Sequence, residues 1–328
     1  MMLGILSQQG MLSSIPLPID PPFGKNWTIR TSPVDEKKWG AVYWSAPFGL
    51  AIAVAWYGAV AGYRVMTSPD GFVWTLQNPS SNAVWRSLCQ TSSGLLVAVG
   101  AAGAIMTSPD GVSWAVKSAP PVRDWRAVCW SPDLSLLVAV ATSGTGNRII
   151  TSTDGHVWVT RTSPSDIAWT SVVWSPALSL FVAVANNGGA AAIMTSPTGT
   201  TWTERVTPTG VFWRAIVWSP ELALLVCVGS SGGVMTSIDG VTWVMRTTPN
   251  NTHVWSGLCW SPEKAMFVAT ATGGTDTRVM VSLDGITWLL RPTPIDNNWA
   301  GVCWAPALNR FIAVGDGTGT VNKVMTSD

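Results

Sequence analysis

Residues 68–74 read Ser68-Pro69-Asp70-Gly71-Phe72-Val73-Trp74, and residues 169–176 read Trp169-Thr170-Ser171-Val172-Val173-Trp174-Ser175-Pro176. Both stretches recur along the chain, and their recurrence decides the fold. The first returns at residues 108–114, 152–158, 196–202, 237–243 and 282–288, and successive turn tryptophans lie 40, 44, 44, 41 and 45 residues apart. Periods of this length mark stacked supersecondary units. The second stretch begins at Trp39, Trp85, Trp125, Trp169, Trp213, Trp255 and Trp299, and a second Trp follows five residues on in every case except Gln90. These starts define seven repeats, and 20 of the 21 tryptophans fall in the register; Trp56 alone does not.

Each repeat reads as four short strands. Strand A runs from Trp to Trp, strand B is an alternating stretch such as residues 180–185, strand C enters the Ser-Pro-Asp-Gly turn, and strand D leaves it through the turn Trp. Val, Ile, Trp and Thr dominate these segments and Pro/Gly clusters separate them, as strands require. Four strands per repeat of this length predict an all-β, seven-bladed β-propeller. One strand B position is always small, namely Ala53, Ala98, Ala139, Ala183, Cys227, Ala269 and Ala313. Side chains alternate faces along a strand, so each sheet has a hollow on one face for a Trp of the same or the next blade. The chain stops inside a seventh turn motif at Ser327-Asp328, while residues 24–30 match strand D text. Blade seven is therefore expected to take strand D from the N-terminal end, with residues 1–22 as an arm and 23–328 as the propeller.

The turn motif has its own chemistry. Pro presets φ, Asp accepts bonds from nearby backbone N–H groups, and Gly relieves crowding. Asp70, Asp110, Asp154, Asp239 and Asp284 are thus read as turn residues, with Trp27, Trp74, Trp114, Trp158, Trp202, Trp243 and Trp288 as their structural companions; blade four has Thr198 in place of Asp. The motif resembles the Asp-box, or bacterial neuraminidase repeat, with one residue fewer between Asp and Gly. That resemblance implies a propeller and is shared by sialidases, photosystem assembly factors, sorting-receptor ectodomains and phage tail proteins.

Charged residues make up 11% of the chain and the net charge is +1, which does not favour nucleic acid as a partner. The five cysteines, Cys89, Cys129, Cys227, Cys259 and Cys303, lack paired spacings, and with only His156 and His253 beside them no metal or other cofactor is expected. The N-terminus lacks a basic start and a long apolar run, so no secretory signal is expected. The uncharged stretch from Ala46 to Tyr63 splits into two strands rather than a membrane span.

Departures from the repeat carry the functional signal. The residue after the first Trp of strand A is Gly40, Arg86, Arg126, Thr170, Arg214, Ser256 or Ala300. The arginines among them, with Trp85, Trp125 and Trp213 beside them as apolar platforms, form a candidate recognition surface for an acidic sugar or an acidic partner. Arg64, Arg148, Arg278 and Lys323, at the start of strand C, extend it. The alternative is that these arginines are struts bonded to neighbouring loops, Asp124 among them. A sialidase would further require a Tyr nucleophile with a Glu partner and an acidic Asp. Glu36 with Tyr57 and Tyr63 is the nearest set, while Glu221 and Glu263 fall in A–B loops on the other face and Glu204 on outer strand D. A non-enzymatic binding or structural module is therefore expected, with an exo-glycosidase or an assembly factor as alternatives. The composition, rich in Trp, Thr, Ser and Gly, resembles that of phage tail and virion-surface propellers. That resemblance implies virion localisation and contact with a host glycan or with neighbouring virion proteins, the latter through the arm.

Overall fold

A computed structural model describes residues 20–33, 38–57, 62–79, 81–117, 123–317 and 322–327. The chain forms seven antiparallel sheets of four strands each, arranged as blades around a central axis. In blade three, for example, strand A is Trp125–Ser131, B is Leu136–Ala141, C is Ile149–Ser152 and D is Val159–Arg161. Blade seven is composite: Trp299–Ala305, Arg310–Gly315 and Val324–Ser327 are completed by Trp27–Arg30. Trp27 pairs with Ser327 and Arg30 with Val324, so the expected closure is the one observed.

Interblade packing explains the small position of strand B. Trp39, Trp44 and Trp74 share one buried cluster with Ala51, Ala53 and Ala55 of their own blade and with Ile312 and Val314 of blade seven. Trp39 pairs with Ala55 and Trp44 with Ala51, so two indoles flank the small Ala53. The same scheme holds between blades three and four, where Trp169, Trp174, Trp202 and Ala183 meet Val138 and Val140. Each blade thus presents a Trp-and-Ala face to the preceding blade and a Val/Ile face to the next. Removing one such Trp to Ala costs about 3–5 kcal/mol.

The turns are built as their sequence predicts. Asp110 Oδ1 accepts from the backbone N–H groups of Val112 at 2.8 Å and Ser113 at 2.7 Å, and the Ser108 hydroxyl accepts from Gly111 N at 2.8 Å. Gly111 holds φ +82, which favours glycine, and its carbonyl accepts from Trp114 Nε1 at 3.0 Å. In blade four Thr198 Oγ1 accepts from Thr200 N at 3.3 Å, a weaker substitute for the aspartate.

Carboxylates of the A–B loops have a structural task. Asp133, Glu221 and Glu263 accept from the indole N–H of Trp174, Trp260 and Trp304 of the following blade, at 2.8, 2.6 and 2.6 Å. The described end of the N-terminal arm rests on its own propeller: Asp20 pairs with Arg291, and Lys264 lies 3.5 Å from the Phe23 ring centroid. Residues 1–19, for which docking on another subunit or virion protein was expected, lie outside the described residues.

Candidate functional site: the central mouth

Every strand A shifts register just after its first Trp. The pairing passes from Trp125 to Ala127, and from Trp85 to Ser87, leaving Arg126 and Arg86 as extra residues. The same bulge leaves out Gly40, Thr170, Arg214, Ser256 and Ala300 in the other blades. A bulge re-aims a side chain relative to the alternating pattern. Here it turns the repeat's most variable position toward the axis. All seven of these residues line one cavity of about 400 Å³, together with Trp56, Ser87, Ser171, Thr272 and Asp316. An adjoining hollow joins Arg86, Arg126 and Arg214 to Asp124, Thr142 and Asn186.

The arginines of the mouth are desolvated. Burial pushes the Arg126 guanidinium down to about 10, and the charges of Arg86 and Arg214 push in the same direction. Burial also lowers Arg214, and lowers Arg86 against the opposing pull of Asp124. Arg86 stands 5.2 Å from the Trp56 ring centroid. Among the described residues, Arg126 and Arg214 make no hydrogen bond or ion pair, and Arg214 Nε is buried without a partner. Asp124 is engaged elsewhere, its Oδ1 accepting from Ala102 N at 3.1 Å.

The other expected site residues are distributed differently. Trp85, Trp125 and Trp213 are fully buried between blades, turned away from their bulged neighbours, and Trp125 also borders the adjoining hollow. Arg148 is held by its own loop: Nε donates to the Gly144 carbonyl at 2.7 Å, Nη1 to the Thr142 carbonyl at 3.1 Å, and Asp166 lies 3.6 Å away. Arg278 donates to Asn298 Oδ1 at 2.9 Å and pairs with Asp296 at 3.5 Å. Neither of them, nor Arg64 or Lys323, lines the cavity. Of the nearest sialidase-like set, Tyr57 and Tyr63 are exposed, and Glu36 lies outside the described residues.

Trp56 stands in the cavity wall without belonging to the bulge position. Its signal was present: it is the one Trp outside the repeat register.

All five cysteines are free, and burial raises their thiols. Among the described residues no three His, Cys, Asp or Glu side chains gather as a metal site. No helix among them is long and apolar enough to cross a membrane.

No known family profile matches the chain, and no curated protein matches it. Solved structures do. A catalytically inactive virginiamycin B lyase from Staphylococcus aureus, with quinupristin, superposes with a TM-score of 0.78 at 12% identity, covering 92% of this chain and 98% of that one. YCF48 from Cyanidioschyzon merolae gives 0.66 at 15% identity over 92% and 98%. The GH74 enzyme of Niastella koreensis gives 0.70 at 15% identity over 91% of this chain and 53% of that one. These likenesses establish the seven-bladed propeller, a fold that carries both enzymes and non-enzymatic proteins.

Proposed function

We propose that this protein is a binding module whose central mouth captures an anionic group, a carboxylate above all, through Arg86, Arg126 and Arg214. The observation that carries this reading is the clustering of like charge at the mouth: Arg126 and Arg214 are half-buried, close to one another's charge, and make no hydrogen bond or ion pair among the described residues. A charge kept partly from water and left without a counter-charge is disfavoured. A ligand oxyanion supplies the missing counter-charge, and guanidinium forks suit a carboxylate. The low-dielectric wall of the mouth strengthens that attraction.

Binding is favoured over glycoside hydrolysis because that reaction uses two carboxyl groups flanking the scissile bond. Among the described residues the wall of the main cavity offers Asp316 alone. Nothing in this reading requires the virion setting that the compositional resemblance implies, and the structural likenesses reported above lend that setting no support. Calorimetric titration with citrate, a compact polycarboxylate, at low ionic strength tests it. Wild-type protein should bind, and Arg126→Gln and Arg214→Gln should each weaken binding by about tenfold or more. Equal binding by all three proteins would remove the mouth from consideration.

A further inference from the structure

In blades three, five, six and seven the residue two positions before the first Trp of strand A plugs the underside of the B–C loop. These plugs are Arg123, Val211, His253 and Asn297, and each lies beneath a glycine of the loop, namely Gly144, Gly233, Gly274 and Gly317. A Cβ on any of the four glycines would overlap the residue below it, so the missing side chain lets the loop backbone close directly onto its plug.

The plugs differ in chemistry. Arg123 donates through Nε and Nη2 to Asn147 Oδ1 at 3.1 and 3.0 Å, and Asn297 Nδ2 donates to the Asn322 carbonyl at 3.2 Å. Val211 is apolar and needs no partner. His253 is 1% exposed and stacks on Trp255, with 5.2 Å between ring centroids and 22° between planes. Neither of its ring nitrogens makes a hydrogen bond among the described residues. A neutral imidazole has one N–H and one lone pair, and here both are taken out of water without compensation.

Burial lowers the His253 imidazole below its ordinary value, and the Arg278 cation at the start of strand C pushes the same way; the Thr277 backbone and Asp296, from the following D–A loop, oppose them. Asp276 belongs to the covering loop itself. The blade-five loop, residues 230–233, whose Gly232 N donates to the His253 carbonyl at 2.8 Å, is uncharged. The covering loop, residues 272–277, is pinned at both ends. Asp276 N donates to Asp296 Oδ1 at 2.7 Å, and Thr272 N donates to the Val254 carbonyl at 2.9 Å. The Thr272 hydroxyl also bonds that of Ser256 at 2.8 Å, and both residues line the mouth.

We infer that the B–C loop of blade six is an acid-opened flap at the rim of the mouth, with His253 as its trigger. The closed loop holds the ring neutral, and the ring takes up a proton when the loop lifts and water reaches it. The open form keeps the ordinary imidazole affinity. Closure is therefore fully favoured above about pH 6.5, and opening gains as pH falls below it, by up to about thirtyfold at pH 5. Lifting separates Thr272 from Ser256 and so alters the cavity wall, whatever the mouth binds.

Blade three contains the control. Its loop, residues 142–147, has the same carboxylate anchor, with Gly146 N donating to Asp166 Oδ1 at 2.6 Å, but its plug is Arg123. Hydrogen exchange read by mass spectrometry at pH 7 and pH 5, corrected for the intrinsic rate, should show residues 272–277 losing protection by roughly ten- to thirtyfold while residues 142–147 change little. In His253→Val, which carries the blade-five plug, this acid step should vanish. The chain has two histidines, so imidazole proton NMR follows His253 beside the exposed His156 without any substitution. The His253 signal should titrate only in step with the loss of protection. Equal loosening of both loops would assign the effect to the anchoring carboxylates. An imidazole that titrates inside a still-protected loop would show that the closed site accepts the charge. Either result overturns the inference, as does an acid step that survives in His253→Val or a blade-six loop equally protected at both pH values.

Discussion

Replacing Arg126 with Gln separates a ligand-binding arginine from a strut, because the two accounts predict opposite effects on stability. Burial, and then the charges of Arg86 and Arg214, hold the Arg126 guanidinium down at about 10. A basic group lowered on folding means that the charged form is disfavoured in the fold. At neutral pH the arginine is protonated in both states, so the whole penalty is present. Above pH 10 the folded protein releases the proton before the unfolded chain does, and stability should rise with pH. At about 1.4 kcal/mol per tenfold change in the proton equilibrium, the penalty is at most about 3 kcal/mol. Contact with water in the open mouth screens it to about 1 kcal/mol. Gln removes the charge and forfeits some stem packing, a loss of similar size. Thermal scans at pH 7 should therefore find the Arg126→Gln midpoint unchanged or raised by about 1–3 °C, while citrate affinity falls. In wild type that affinity should also weaken above pH 10, and in the variant this step should be smaller, because Arg86 and Arg214 remain and are also lowered by burial. A midpoint lowered by more than about 3 °C, with citrate affinity intact in the folded fraction, would show that Arg126 braces the loops and would overturn the proposed site.

Further expectations concern the frame. Removing residues 20–31 deletes strand D of blade seven with the buried Trp27; the protein should aggregate or melt far lower, and a soluble truncation with an unaltered melt would contradict the closure. Burial alone would raise the Asp239 carboxyl, but the N–H groups of Thr242 and Val241 and the Ser237 hydroxyl outweigh it and hold it at about 2. Its contribution is complete above the ordinary carboxylate range and is lost as pH falls toward 2; because the carboxylate is exposed and screened by water, Asp239→Ala should cost about 0.5–1 kcal/mol at pH 7 and less in acid, as read from denaturant melts at both pH values. Trp218 Nε1 is buried without a partner among the described residues, and the A–B loop of the preceding blade has Ala177 where the next blade has Glu221. Ala177→Glu should add the missing indole bond and about 1 kcal/mol of stability, whereas Glu221→Ala should strand Trp260 and lose about 1–3 kcal/mol; urea midpoints check both.

The blades, their turns and the composite seventh blade were legible in the chain because each depends on local information. Strand alternation has a period of two, the Ser-Pro-Asp-Gly turn satisfies its own backbone within seven residues, and the closing strand repeats the text of its siblings. The position that lines the mouth was legible too, since it is where the repeats disagree. What its neighbours would do was not. Trp125 and Arg126 are adjacent in sequence, yet one is sealed between blades and the other lines the mouth, because the bulge leaves Arg126 unpaired and re-aims its side chain toward the axis. Arg148 and Arg126 both recur as basic residues at one position of the repeat, but only the ring geometry leaves Arg126 facing like charge while Arg148 finds carbonyls and Asp166 within reach. The contact between Gly40 and Trp56 was the least accessible of all: a missing side chain on one strand and an extra indole on the next acquire meaning only when pairing brings them within 2.8 Å of a hypothetical Cβ. Local periodicity determines which segments become strands; closure of the ring about its axis decides which side chains, separated by a whole repeat or more, share one cavity.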